Sequence, residues 1–426
     1  MSAVDRLIDL RPLRTSPAFR RFWLGSTASV FGYQIALVAV LLQVWQITAS
    51  PVWVGVTGLA RAVPMLGCSL LGGSLADAVD RRRLVLWATA GGMAGSVLLA
   101  GQAVAGLDSL PLVLGLVAAQ AAASGLGAPA RRALIPRLLP AGQVAAGIAV
   151  GHLGFQAGML AGPALAGFVA AGWGVAACYL VTAGTGLAAL YGAARLPPIP
   201  PAAPSGSAAA GRSRSPVREI VAGWRLVARH PVLRGSLLTD LAATLLAMPV
   251  SLFPAVNQAR FGGDPRTLGL FLSAIAVGGI AASLTSGAVT RHPRPGQVML
   301  LAAAIWGAAL AGFGLAAPLW LAIGCLVVAG AADTVSVISR GSIVQLATPD
   351  SHRGRVSAVE QVVGVTGPDL GNFRGGLVAG LSSAPAALVS GGLLAALGVA
   401  AVAATTPALR RFRTGHSGQD RAATPG

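Results

Sequence analysis

The chain contains no lysine: its 31 basic residues are all arginine, set against only 13 acidic ones in 426 residues. Nucleotide-driven pumping is not expected, because the glycine-rich loop that cradles phosphates ends in Lys-Ser or Lys-Thr. Cysteine is nearly as scarce. Cys68, Cys178 and Cys325 lie inside apolar runs at spacings that suit neither a metal nor a disulfide, and read as small packing residues. No nucleophile stands with a base and no metal-ligand cluster appears, so neither catalysis nor a cofactor is expected. A sizeable soluble domain is also missing, which argues against a non-transporting sensor or scaffold.

What the chain does have is apolar length. Hydrophobic residues make up 54% and charged ones 10%, the composition of a polytopic membrane protein whose core is solvated by lipid. The net charge of +18 invites a nucleic-acid reading. The arginines instead form small clusters between apolar runs, without the interleaved aromatics of a nucleic-acid surface, so they read as topogenic signals and the bilayer as the partner.

At roughly 20 apolar residues per crossing, six spans fit at about 22–45, 52–76, 83–106, 110–130, 142–170 and 172–194. Six more fit at about 235–259, 268–290, 297–316, 318–340, 356–378 and 384–406. The expected organisation is a first bundle with its tail (1–196), a linker (197–230) and a second bundle with its tail (231–426). The linker is rich in Pro, Ser and Ala up to Pro216, and Val217 to Arg229 reads as a short surface helix. The first 17 residues lack the apolar core and cleavage site of a signal peptide and read as a cytoplasmic tail.

Arginine placement tests this layout, since inner connections should be basic and outer ones not. Inner segments carry Arg81 to Arg83, Arg131, Arg132, Arg137, Arg291, Arg294, Arg353 and Arg355, whereas outer turns such as Thr48 to Pro51 and Ala171 to Trp173 carry none. Arg260 and Arg266, around Asp264, are the exception. Both termini are expected in the cytoplasm of a bacterial cell with a multi-pass inner-membrane protein.

A six-plus-six split predicts an internal repeat. A constant offset of 209 residues pairs Arg131 with Arg340, Pro140 with Pro349, Arg82 with Arg291, and Gly158, Gly162 and Gly167 with Gly367, Gly371 and Gly376. In the fifth span, Gly158, Gly162 and Gly167 lie nearly on one face around Pro163, which lets a neighbouring helix approach closely.

Acidic residues in or beside spans are informative because each is costly there. They are Asp77, Asp240, Asp333, Glu360 and Asp369. Counting helical rise, Asp240 lies roughly 9 Å from Arg234, Asp333 roughly 10 Å from Arg340 and Glu360 roughly 8 Å from Arg355. Three carboxylates thus share one depth in the second half. Acids crowded at low dielectric compete for charge, which suits a proton-exchanging site; the same residues equally suit an ion-pair network with Arg340 and Arg355 that closes the inner mouth. Near mid-span stand Gln34, Arg61, Gln120, His152, Gln156 and Asp369, each needing protein or water beside it. Arg61 needs an anion, for which Asp369 is a candidate and Arg374 a competitor. His152 reads either as a proton shuttle or as a hydrogen-bonded packing residue.

The turn Gly73-Ser-Leu-Ala-Asp77-Ala-Val-Asp80-Arg81-Arg82-Arg83 resembles the motif between the second and third helices of the major facilitator superfamily. Gly73, Leu75, Asp77, Arg81 and Arg82 match, while Ala78 stands where a basic residue is common and Asp80 replaces a glycine. Gly162-Pro163 with Gly167 is similar to the antiporter motif of that superfamily. Ala128 to Arg137, Ser336 to Arg340, Thr348-Pro-Asp350 and Arg353-Gly-Arg355 resemble the siderophore-exporting branch, the group that contains the enterobactin exporter. This resemblance implies an all-α membrane protein of twelve transmembrane helices in two pseudosymmetric six-helix bundles. Spans 1, 4, 7 and 10 would line a cavity, with Gln34, Gln120, Asp240 and Asp333 facing it. It further implies a secondary exporter of a small organic molecule, siderophore-like or drug-like; a monomer is expected, and the clustered carboxylates, not the resemblance, point to protons as the coupling ion. Asp77, the arginines after it, Arg340, Arg353 and Arg355 would gate it. Macrolide or multidrug efflux and small-metabolite uptake remain alternatives. Span 4 lacks the arginine common in proton-coupled drug exporters, Gln120 standing close to its place.

Overall fold

The computed structural model describes residues 9–198, 216–349 and 352–413, without the side chains of Ser74, Ala76, Asp77 and 216–220. The proline-rich part of the linker, Asp350 of the resemblance block and both chain ends therefore lie outside the described residues, as does the Asp77 carboxylate.

The described residues are overwhelmingly helical. In order, the main helices are α1 (Pro17–Thr48), α2 (Pro51–Ala78), α3 (Arg81–Val104), α4 (Leu110–Leu138) and α5 (Val144–Ala194), followed by α6 (Pro216–Arg229), α7 (Pro231–Ala247) and α8 (Phe253–Arg260). Then come α9 (Pro265–Leu284), α10 (Pro295–Leu315), α11 (Leu319–Ala347), α12 (Arg353–Leu381) and α13 (Ala384–Thr405). Proline opens many of them, where its fixed φ suits the first turn and its missing N–H costs nothing. Ser16 caps α1 by accepting from Phe19 N at 3.1 Å, and Ser383 caps α13 by accepting from Ala386 N at 3.2 Å.

Every predicted span falls in helix, but three boundaries differ in instructive ways. The fifth and sixth run together as α5, whose corner is at Gly174, with φ 79° and ψ 179°, and not at the expected Ala171 to Trp173. Only glycine adopts that conformation without cost. The seventh, expected to be continuous, is broken: Met248 is extended (φ −71°, ψ 123°) ahead of Pro249, a 3-10 turn covers Val250–Leu252, and α8 follows. Proline explains both features, since it lacks the N–H and pushes the preceding residue out of helical geometry. The eighth gives way after α9 to a separate turn of helix at Ser286–Thr290.

Ten stretches among the described residues are long and apolar enough to cross a membrane, Ala141–Ala194 counting as one. Splitting that stretch at Gly174 adds an eleventh. α12 matches the remaining predicted span in length, with 29 residues, but carries Arg353, Arg355, Glu360, Asp369 and Arg374 and so falls short on apolar character.

The described residues form two compact units, one within 1–206 and 257–273, the other within 207–256 and 274–426. In the first, α1 lies along α5, α2 along α4, and α3 against both α4 and α5. Glycines set these distances: a Cβ on Gly158 would come within 2.5 Å of Val30 Cγ1, and one on Gly162 within 2.6 Å of Gln34 Cβ. Gly167 instead receives the start of α9, where a Cβ would sit 2.6 Å from Pro265 O, and Ser273 Oγ donates to Leu160 O at 2.7 Å. The small-residue face of α5 thus serves two neighbours. In the second unit α10 packs on α11 and α13, α13 on α7, and α12 on α7 and α6. Gly367 and Gly371 of α12 take α7 against Thr244, the same relation that Gly158 and Gly162 have to α1.

Candidate functional site

The densest charge cluster in the second unit joins three helices. Arg340 on α11 forms an ion pair with Asp240 on α7, and its Nε lies 3.8 Å from Glu360 Oε1 on α12. All three are largely withdrawn from solvent, with side-chain exposures of 15%, 12% and 26%. Asp333, two turns earlier on α11, is exposed and within electrostatic reach of Asp240 and Arg340. A small cavity lies beside the cluster, lined by Arg340, Glu360, Val344, Val359, Leu237 and Val227 of α6. The arrangement can hold net charge, exchange a proton among three carboxylates, or loosen one helix from two others when a carboxylate is neutralised.

A second polar node sits where α7 breaks. Asn372 on α12 accepts from Ser251 N at 3.0 Å through its side-chain oxygen, while its backbone carbonyl accepts from Ser251 Oγ at 2.7 Å. Both residues are buried, so Asn372 satisfies a backbone donor that the broken helix leaves free. Asp369, one turn earlier, is 2% exposed. Arg374 turns away toward α13, its Nη2 lying beside Gly391.

In the first unit, Arg61 donates to Tyr33 Oη at 2.8 Å and lies over that ring. Gln120 directs its amide nitrogen at α3, to Gly92 O at 3.0 Å and Ser96 Oγ at 2.9 Å. Gln34 is 4% exposed, packed at Gly162. His152 is exposed and stacks on Phe155 with centroids 6.3 Å apart, whereas Gln156, one turn on, is half-buried.

The charged turn after α2 is built with unexpected local chemistry. Asp80, which departs from the motif, caps α3 by accepting from Arg82 N at 2.8 Å, so the substitution stabilises the helix that presents the arginines. Arg82 Nη2 in turn donates to Ala194 O at 2.6 Å, placing a cation on the last carbonyls of α5. Close packing of α2 on α4 falls on Gly72, where a Cβ would approach Leu126 O at 2.5 Å; Gly73 has open space around it. Arg353 Nη2 lies 3.5 Å from Gln345 O, and the backbone carbonyl of Arg355 lies against Gly223 of α6. Between α6 and α7 there is one residue, His230, half-buried, and burial lowers its affinity for a proton.

One network escaped sequence reasoning. Gln43 Oε1 accepts from Tyr179 Oη at 2.8 Å and Gln102 Nε2 at 3.0 Å, tying α1, α3 and the second arm of α5 in an otherwise apolar interior. Lone glutamines inside apolar runs were the available signal, as they need a partner in lipid.

Ten apolar helical stretches among the described residues, long enough to cross a membrane, with a charge cluster withdrawn from solvent among three helices, define a helical membrane protein. The solved structures agree on the fold. The nucleoside transporter NupG superimposes with a TM-score of 0.70 at 15% identity, over 93% of this chain and 100% of that one. A bacterial homologue of the human lysosomal transporter Spinster, inward-facing and unoccupied, gives 0.70 at 16% identity over 93% and 99%. A POT family transporter in complex with 5-aminolevulinic acid gives 0.73 at 12% identity over 93% and 97%. In sequence, the chain is 28% identical to the enterobactin exporter EntS of Escherichia coli O1:K1 and to that of Escherichia fergusonii, over 415 residues and 97% of each chain. The profile of transmembrane secretion effectors matches residues 8–420. The chain belongs to that family, within the major facilitator superfamily, and is a multi-pass membrane protein.

Proposed function

We propose that the protein is a secondary active exporter of a small, siderophore-like organic molecule in the bacterial inner membrane, working by alternating access with proton antiport. The observation that carries the coupling half of this reading is the Arg340 cluster: one guanidinium bridges Asp240 and Glu360 from two other helices, with Asp333 in electrostatic reach. Neutralising a carboxylate by a proton weakens one bridge, which ties proton occupancy to helix position. Asp77 with Arg81 to Arg83 acts as the inner latch, and Gln34, Arg61, Gln120, His152, Gln156 and Asp369 belong to the substrate pathway. Both termini are cytoplasmic. Similarity to enterobactin exporters along nearly the whole chain supports the direction and the substrate class.

Inverted vesicles containing the protein and a lumenal pH-sensitive dye test this, with enterobactin as probe. Wild type should accumulate the probe while lumenal protons leave, and Asp240→Asn and Asp333→Asn should each lose at least tenfold of the probe-driven proton signal. Unchanged proton movement in both variants overturns the coupling proposal. Proton-coupled uptake of macrolides with none of enterobactin would move the substrate reading to drug efflux.

A further inference from the structure

The short helix α6 is built with two working faces. Gly223, Leu226, Val227 and His230 turn inward: Gly223 is pressed on Arg355 O, where a Cβ would come to 2.5 Å, and Val227 enters an apolar cluster with Leu233, Leu237, Val356 and Val359. The outward arc, roughly 140° wide at 100° per residue, holds Val221, Trp224, Arg225, Ala228 and Arg229. All five are exposed, Val221 at 42% and Trp224 at 38%. Within that arc Trp224 takes one flank, Arg225 and Arg229 the other, with Val221 and Ala228 between. A helix lying in the plane of a bilayer surface needs this order, with an indole toward the acyl boundary and guanidinium groups at headgroup level.

Position fixes the partner. Only His230 separates Arg229 from Pro231, the first residue of the membrane helix α7, so α6 cannot leave the bilayer surface where α7 emerges. No acid lies on the outward arc, and the sequence from Arg212 to Arg229 holds five arginines against Glu219 alone.

We propose that the outward face of α6, centred on Trp224, Arg225 and Arg229, is a docking surface for anionic lipid headgroups of the surrounding membrane. Because the inward face shares a cavity with Arg340 and Glu360, the lipid holds the strap that covers this cluster.

The test uses the full-length protein in vesicles of phosphatidylcholine alone or with phosphatidylglycerol, read by amide hydrogen exchange over 221–229. At about 1 kcal/mol for each arginine at an anionic surface, the second bilayer should slow local opening by about thirtyfold. The slowing should vanish in Arg225→Gln/Arg229→Gln and in high salt, and persist in an Arg410→Gln/Arg411→Gln control. Equal exchange in the two bilayers, or undiminished slowing in the first double variant, overturns the proposal. So does slowing that follows protein density in the vesicle instead of lipid charge, which would assign the face to a second copy of the chain. Since exchange is read without transport, the result stands apart from the exporter reading.

Discussion

The two halves keep the same arginine and treat it differently. Arg131 and Arg340 are repeat mates on α4 and α11, yet Arg340 has Asp240 and Glu360 beside it, whereas the mates of those carboxylates in the first half are Phe31 and Gly151, and the mate of Asp333 is Ser124. Arg131 folds back over Gly127, its Nε without a hydrogen-bond partner and without a carboxylate among the described residues. The repeat therefore keeps this arginine in both halves and, among the described residues, sets the carboxylates of α7 and α12 beside it only in the second. Duplicated bundles share architecture for stability, while exchangeable charge can be concentrated in one of them.

The largest expected break in this comparison is Arg340→Gln, which strands two partly buried acids and should cost about 3 kcal/mol, against under about 1 kcal/mol for Arg131→Gln, which strands none among the described residues. Thermal unfolding in detergent, measured on both variants, checks the ratio, and equal losses would mean that the halves are not electrostatically different. Next come the helix seams. Gly371→Ala drives a Cβ into the Thr244 carbonyl, which cannot move aside, and should cost about 2–3 kcal/mol; Gly158→Ala meets the Val30 side chain, which can rotate, and should cost about 1 kcal/mol. The same melting experiment orders them. A smaller effect is expected at the turn after α2: Asp80→Ala removes a cap worth about 1 kcal/mol, whereas the corresponding helix in the second half, α10, has Arg294 at its N-cap and no side-chain cap to lose. Exchange rates of the first-turn amides of α3 should rise about fivefold, and those of α10 should not change on Arg294→Ala.

Much of the frame was legible because lipid imposes simple rules. Apolar length located, among the described residues, ten helical stretches able to cross a membrane, and the 209-residue offset joined Gly158 and Gly162 to Gly367 and Gly371, which receive α1 and α7 respectively. Depth arithmetic put Asp240, Asp333 and Glu360 at one level with Arg340 and Arg355 as counter-ions; Arg340 pairs with Asp240 and Glu360, whereas Asp333 is exposed. What stayed hidden depended on single backbone torsions and side-chain direction. Hydropathy does not register Met248–Pro249, so the break in α7 and the Asn372 node that repairs it were missed. Helical spacing placed Gln120 at a level in α4 but not its amide, which is spent on α3. Motif matching marked Asp80 as a departure when its carboxylate is a helix cap.

The five charged residues of α12 bear on how the protein is made. A segment bearing Arg353, Arg355, Glu360, Asp369 and Arg374 gains too little from hydrocarbon to leave the translocation channel unaided, at a cost of about 2.5–3.5 kcal/mol for a charge near the middle. It needs α11 and α7 already waiting, because Arg340 supplies the countercharge of Glu360 and Thr244 the surface for its glycines. Synthesis order thus becomes part of the fold: the helix that lipid would reject is admitted after α7 and α11, into a socket its predecessors have prepared.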